Sequence, residues 1–460
     1  MERKLKIILF ILIFFIFSLV HFYNIEKRVG FGWDQESYSY QVKNILKDHK
    51  LTLIGPRSAD IKGFFLGPYF IYILIPFYFF TNLHPSALIL FLIFFNLFFF
   101  FISFYLIKKM FDFWMAFYFF ILWILNKQII AYDITPWNPI FIPLGAVINL
   151  YFLKKIIGKN STILWIILGI LSGLFINMHF SFIFIIIFNL FFLFLLDLKQ
   201  KKINIKNYFL FFLSFLITFL PLIIFDLRHN FLNIKLFINF FFGKEKTQSY
   251  NLFLWMPVFY NMIKNLTIVN FDNNLKILFF YLSFILIFFY LIKKEKENFT
   301  KIFLKSFLLI WLIFPIFFIL YNKRPSEYYF LFLMPYFYIT IILFFNKIQI
   351  KKIFFLYLLI IFFINKNQLF SVINDDLNGL YYKDKAIKYI KKTIKDSKKF
   401  NISYKVPIGE NNGYQYLIEY YDIKQSGNFN DSLIEIVSPP ETNNIKFGAI
   451  GIKIPTELKN

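Results

Sequence analysis

The chain has 460 residues, of which 59% are hydrophobic, 24% aromatic and only 17% charged, and it carries a net charge of +24. A water-soluble chain of this length would carry about 25% charged residues and split into two or three domains, so an ordinary soluble protein is excluded and a polytopic α-helical membrane protein is indicated. The absence of cysteine excludes disulfides, a thiolate metal site and a cysteine nucleophile, and the basic charge does not imply nucleic acid, because the lysines cluster at the ends of apolar runs, where the membrane orientation rule puts them.

Met1–Lys6 is basic and Leu5–Phe22 apolar, with no small-residue cleavage site following. This reads as an uncleaved first helix with a cytoplasmic N-terminus. A spanning helix needs about 20 apolar residues. Further expected spans are Ser86–Ile107, Phe113–Ile130, Pro139–Leu153, Ile163–Met178, Phe180–Leu196, Tyr208–Phe225, Leu275–Ile292, Ile302–Tyr321, Tyr328–Phe345 and Ile353–Ile364, about eleven in all. If they alternate, Lys108/Lys109, Lys154/Lys155/Lys159, Lys199/Lys201/Lys202/Lys206, Lys293/Lys294/Lys296 and Lys347/Lys351/Lys352 fall inside. The turns Ala131–Asn138 and around His179 hold no lysine or arginine and fall outside. Counting Pro68–Phe80 as a span would invert every later loop, so it is expected as a surface-lying or shallow re-entrant helix on the outer side.

Two domains follow: a transmembrane unit at 1–365, with outer loops at 23–84 and 226–274, and an extracytoplasmic α+β unit at 366–460. In the tail, Ala386, Ile387, Ile390 and Ile394 give Lys383–Lys399 helical spacing. Ile402–Val406, Leu433–Val437 and Ile445–Ile454 read as strands. There are no repeats and no glycine-rich phosphate loop of the nucleotide-binding kinds.

The charged stretch Gly30–Pro68 interrupts this apolar chain. Tyr38, Val42, Ile45 and Leu46 share one face of an amphipathic helix, Gln35–Lys47. Asp34 precedes it and reads either as its N-cap or as a catalytic carboxylate at the water–lipid boundary, seconded by Glu36. Arg57 and Lys62 follow a Gly-Pro turn and are suited either to lipid phosphates in general or to one specific phosphate. Asp133 and Trp137-Asn138-Pro139 lie in one outer turn, with Asn138 also a natural cap. His179 lies in another and Asp226-Leu227-Arg228-His229 at a helix exit; a lone histidine in such a turn is often only a hydrogen-bonder. Lys323-Arg324-Pro325-Ser326-Glu327 forms the last turn. All these polar sites map to one side of the membrane.

The motifs occur in the order W-D-Q-E-S-Y, G-P-R-S, W-N-P, N-M-H-F, F-D-L-R-H-N-F and R-P-S-E-Y-Y. Together with the topology, this order resembles the GT-C superfamily of polyprenyl-phosphate-dependent glycosyltransferases, most nearly the family 39 protein O-mannosyltransferase and aminoarabinose transferase-like branch, over about Met1–Phe345. The resemblance implies a sugar donor on polyprenyl or dolichyl phosphate and a glycan, lipid or protein acceptor. It implies transfer on the outer face with inversion, and a first-loop acid, Asp34 or Glu36, as general base. Arg228, His229, Lys323 and Arg324 would hold the lipid phosphate. Read from the residues themselves, Arg57 and Lys62 are expected at the donor phosphate, and Asp133, Asn138, His179 and Glu327 as further donor-phosphate or substrate contacts. In many relatives the two acids are adjacent; here Gln35 separates them, which leaves open which is the base. Some members use a divalent metal and others do not, so none is assigned.

Two rivals stand beside this reading. A transporter or flippase should place charges mid-helix or show paired broken helices in two halves, and neither is evident. An envelope glycan polymerase or ligase, or a membrane scaffold, is motivated by the large outer loops.

Overall fold

The computed structural model describes residues 2–58, 63–159, 161–201, 203–242, 255–267, 274–321, 325–349, 351–371, 373–394, 399–428, 431–442 and 444–458. In chain order the helices are α1 (Glu2–Phe22), α2 (Ile25–Arg28), α3 (Trp33–Asp48), α4 (Tyr69–Phe80), α5 (Ala87–Met110), α6 (Phe113–Ile124), α7 (Lys127–Asp133), α8 (Phe141–Gly158), α9 (Thr162–Met178) and α10 (Ile183–Gln200). They continue with α11 (Ile205–Ile217), α12 (Leu220–Arg228), α13 (Leu232–Phe242), α14 (Trp255–Leu266), α15 (Asn274–Lys294), α16 (Asn298–Tyr321), α17 (Leu333–Ile348) and α18 (Lys351–Ser371). The tail adds α19 (Leu380–Thr393), α20 (Tyr414–Tyr420) and strands β1 (Phe400–Lys405), β2 (Ser432–Val437), β3 (Ile445–Phe447) and β4 (Ile450–Lys453).

Each expected stretch contains helix, but fewer than the expected eleven qualify as membrane spans. Among the described residues, six helical stretches are long and apolar enough to cross a membrane, and two bent pairs bring the number to eight. The bends are where the apolar pattern misled. Phe113–Ile130 breaks into α6 and α7 at 86°, because Asn126 caps α7, its Oδ1 accepting from Gln128 N at 2.9 Å and Ile129 N at 3.2 Å. Tyr208–Phe225 breaks by 57° into α11 and α12, where Pro221 cannot supply the amide that would continue α11.

Helices in lipid gain little from apolar burial against each other and associate by close packing. That explains Gly169 and Gly173, four apart on α9: a Cβ at either would collide with a carbonyl of α11, Phe211 O or Phe215 O. Lysines gather the opposite helix ends. Lys154 Nζ pairs with Glu297 at 3.0 Å and donates to Met110 O, and Lys347 pairs with Glu295 at 3.0 Å. The ends of α5, α8, α15, α16 and α17 therefore share one lysine-rich face.

The tail sits at the other end of α5. Its sheet has the order β1-β2-β4-β3, with β1 parallel to β2 and the other pairs antiparallel. The parallel pair requires a crossover, which carries α20. The third expected strand, Ile445–Ile454, is a hairpin instead: Gly448 turns it at φ +61, and a side chain there would meet Leu377 O and the Tyr382 ring. Ala386, Ile387, Ile390 and Ile394 are buried as the helical spacing requires.

The tail is bonded to the first loop throughout. Asp376 N donates to Lys27 O at 2.8 Å and Leu380 N to Val29 O at 2.9 Å. Lys383, buried, donates to Phe31 O at 2.8 Å and to Asn412 O. Tyr40 and Lys43 on α3 both reach Glu419, at 2.7 and 2.8 Å.

Candidate active site

The first turn of α3 organises the site. Gly32, not Asp34, is its N-cap, and Gln35 Oε1 accepts from Gly32 N at 3.1 Å. The capping reading of Asp34 is thereby corrected: Trp33 begins the helix and Asp34 is its second residue. Gln35 Nε2 also donates to Pro136 O at 3.3 Å, and buried Tyr38 donates to Asn138 Oδ1 at 3.0 Å. Two side chains thus hold α3 to the turn between α7 and α8.

The two acids separate in role. Glu36 Oε2 accepts from Gly413 N at 2.8 Å and Oε1 from Tyr416 N at 2.9 Å. Both its oxygens are used by the start of α20, where a carboxylate complements the helix dipole. Asp34, by contrast, has no hydrogen bond or ion pair among the described residues. Its carboxylate is open to solvent on one side, yet surrounding protein displaces enough water to raise its pKa above the ordinary carboxylate value. Its charge is felt by Tyr38, whose phenol is held well above its usual value by burial first, then by Asp34 and Tyr328.

From Tyr38 the site continues through rings. Tyr328 packs on His179 with centroids 5.4 Å apart and on Trp137 at 4.9 Å, and Trp137 on Tyr132 at 5.3 Å. Tyr132 donates to Glu327 Oε2 at 3.4 Å, and Lys264 reaches Glu327 Oε1 at 3.3 Å. Asn138 Nδ2 donates to Met178 O, next to His179. The structure therefore brings Asp34, Asn138, His179 and Glu327 into one cluster. Tyr38, Trp137, Lys264 and Tyr328 belong to it without having been singled out as site residues. The buried indole N–H of Trp137 has no partner among the described residues.

His179 is in the cluster but not as a cation. Its Nδ1 lies 2.7 Å from Ser181 Oγ and accepts from Ser181 N, and burial pushes its pKa down to about 3. The fold places His179 in the cluster as a ring held by Ser181, with its neutral form favoured by burial. Asp133 points elsewhere: its Oδ2 lies 3.0 Å from His21 Nε2 and accepts from Trp123 Nε1 at 2.7 Å, tying α1 and α6 together. The contacts of its carboxylate are thus with these two helices rather than with the cluster around Asn138.

Phe180, next to His179, lines a cavity of about 310 Å³ whose wall is nearly all apolar, with Asn177, Asp226 and Asn233 as its polar members. Phe65 closes one side, held by Asn233 Oδ1 through its N–H at 2.7 Å. Arg57 lies over the Phe65 ring at 4.5 Å. Arg228 is exposed at the end of α12, beside the cavity-lining Leu227. His229 stacks on Phe225 at 4.2 Å with Nδ1 2.8 Å from Phe225 O, which makes it in part a helix-end bond. Asp226 Oδ1 accepts from Asn233 N at 2.6 Å, capping α13. Lys62, Lys323 and Arg324 lie outside the described residues. Among those described, no group of three His, Asp or Glu side chains could hold a metal ion.

No protein-family profile matches the sequence, and no curated protein sequence matches it. Solved structures do. The chain is similar to ArnT from Cupriavidus metallidurans in the apo state, with TM-score 0.56 and 11% identity over 95% of this chain and 94% of that one. ArnT bound to undecaprenyl phosphate gives TM-score 0.53 and 10% identity over 93% of each chain. The apo oligosaccharyltransferase of Archaeoglobus fulgidus gives 0.51 and 12%, over 89% of this chain and 63% of that one. At these identities the likeness establishes the fold alone, a polytopic bundle of apolar helices with a small sheet at its C-terminal end.

Proposed function

We propose that this protein transfers a sugar from a polyprenyl-phosphate donor to an acceptor hydroxyl, with Asp34 as the general base. The observation that carries the reading is the division of labour in one helical turn: Gln35, Glu36 and Tyr38 are engaged by the fold, while Asp34 has no hydrogen-bond or ionic partner among the described residues, is exposed and is raised in pKa. A base is more effective when its pKa approaches the working pH. Glu36, with both oxygens accepting backbone N–H groups, is a poor second candidate.

In this reading the donor's chain enters the apolar cavity beside Phe180 and its phosphate meets Arg57 and Arg228 at the rim. The acceptor oxygen attacks the anomeric carbon as Asp34 takes its proton. The bond from that carbon to the phosphate oxygen breaks, and the configuration inverts. Charge accumulating on the departing phosphate is stabilised by the cations, which act strongly in a water-poor setting. The fold shared with ArnT, itself seen with undecaprenyl phosphate, supports a lipid-phosphate donor.

The test supplies radiolabelled polyprenyl-phosphate hexose to membranes carrying wild type or Asp34→Asn. Loss of the base is expected to lower transfer by roughly 10²–10⁴-fold. Equal transfer by both would remove Asp34 from the role.

A further inference from the structure

We propose that the cleft between α1 and α5, at the lysine-rich end of the bundle, binds one anionic phospholipid. The cleft has a volume of about 700 Å³ and is lined by Arg3 and Lys6 from α1, Lys108 from α5, and the apolar bodies of Ile7, Phe10 and Phe101. It lies at the opposite end of α1 from the loop carrying Asp34, about 30 Å away for a helix of this length.

Three observations set it apart from a general basic surface. First, the cations come from two different helices and converge on one concavity, whereas the orientation rule alone only requires them to be on that side. Second, the one acid in the lining, Asp112, is already used: its Oδ1 accepts from Met115 N at 2.7 Å to cap α6. The acid that pairs with Lys6, Glu2, is an exposed side chain at 2.5 Å on the same helix and leaves Arg3 and Lys108 to a ligand. Third, α1 is loosely held at this end, and Ile7 and Phe10 of its first turns line the cleft. It buries only Ile13, Phe17 and His21, all in its later two-thirds, while Leu5, Ile7, Ile8, Ile11 and Leu12 are exposed. An amphiphile with its phosphate between Arg3 and Lys108 and a chain along Phe10 and Phe101 would fill the cleft and fix the start of α1.

The experiment is native mass spectrometry of the full chain released from nanodiscs of phosphatidylcholine containing phosphatidylglycerol. Wild type is expected to retain one phosphatidylglycerol in preference to phosphatidylcholine. Arg3→Gln with Lys108→Gln should reduce that preference roughly thirtyfold, the effect of two headgroup charges. Lys293→Gln with Lys294→Gln, a basic pair at the end of α15, should leave it unchanged. An equal loss from that control pair, or no preference in wild type, would overturn the site. Should the double variant fail to purify, Lys108→Gln alone is read the same way, with about a fivefold loss. A further arm adds glycerol phosphate: failure to displace the lipid supports a site that uses the chain, and displacement at the potency of short-chain phosphatidylglycerol overturns it.

Discussion

Asp34 is held in a setting that favours its neutral form, and that has two consequences of opposite sign. In the proposed role of general base it works only when ionised, so on that proposal transfer should fall as pH drops through its folded pKa. Because burial raises that value, the acidic limb of kcat/KM should lie above the ordinary carboxylate range near about 4. A limb at or below that range would separate Asp34 from the rate. For stability the carboxylate is a cost. The folded state binds the proton more tightly than the unfolded one, so stability declines as pH rises through the unfolded value and the loss persists above the folded one. Asp34→Asn should therefore melt slightly higher than wild type at neutral pH while losing transfer. Trp137 makes a different prediction. Its buried N–H has no partner among the described residues, its ring packs on Tyr328, and Trp137→Phe keeps an aromatic ring while removing the donor. If that N–H binds substrate, kcat/KM should fall about 2–10-fold, a neutral hydrogen bond's worth, with little change in melting temperature. Unchanged kinetics would leave Trp137 a packing residue.

At the scale of elements, α3 and α20 depend on each other across most of the chain length. Glu36 supplies acceptors to Gly413 N and Tyr416 N, and Lys383 supplies a donor to Phe31 O just before α3. The tail therefore holds the turn that carries Asp34. Glu36→Gln keeps one acceptor oxygen and loses the charge, so it should cost about 1.5–3 kcal/mol and speed amide exchange at 413–416. Lost activity with unchanged exchange would mean instead that Glu36 acts on substrate. None of this was legible in the sequence. Spacing showed the amphipathic face of α3 and the buried face of α19, because one helix's own period decides which residues point inward. It could not show that Glu36 meets a segment 377 residues later. It also misassigned the cap, since an acid before an apolar-periodic run is the usual cap signal and nothing local reveals that Gly32 takes that position with Gln35 reaching back.

For the whole molecule, the spans were legible because an apolar run long enough to cross a bilayer has few other stable fates. The direction in which a turn's acid points was not, because it depends on which helices meet behind it. Asp133 shows the difference. From sequence it belonged to the outer rim with Asn138; in the fold it turns inward, placing its carboxylate against His21 of α1 and Trp123 of α6, while its carbonyl accepts from Asn96 of α5 at 2.8 Å. One turn thus joins three helices, including the first, which otherwise buries few side chains. Removing the carboxylate should strand the Trp123 N–H and break the His21 contact, at about 1–3 kcal/mol each. Asp133→Ala is therefore expected to lower the melting temperature markedly, and Asp133→Asn, which keeps one acceptor oxygen, to recover part of the loss. Both variants, assayed per folded molecule, should retain wild-type KM for the proposed lipid donor, because Asp133 bonds to His21 and Trp123 and does not line the cavity. Abolished transfer with unchanged melting would reverse the assignment and return Asp133 to the rim.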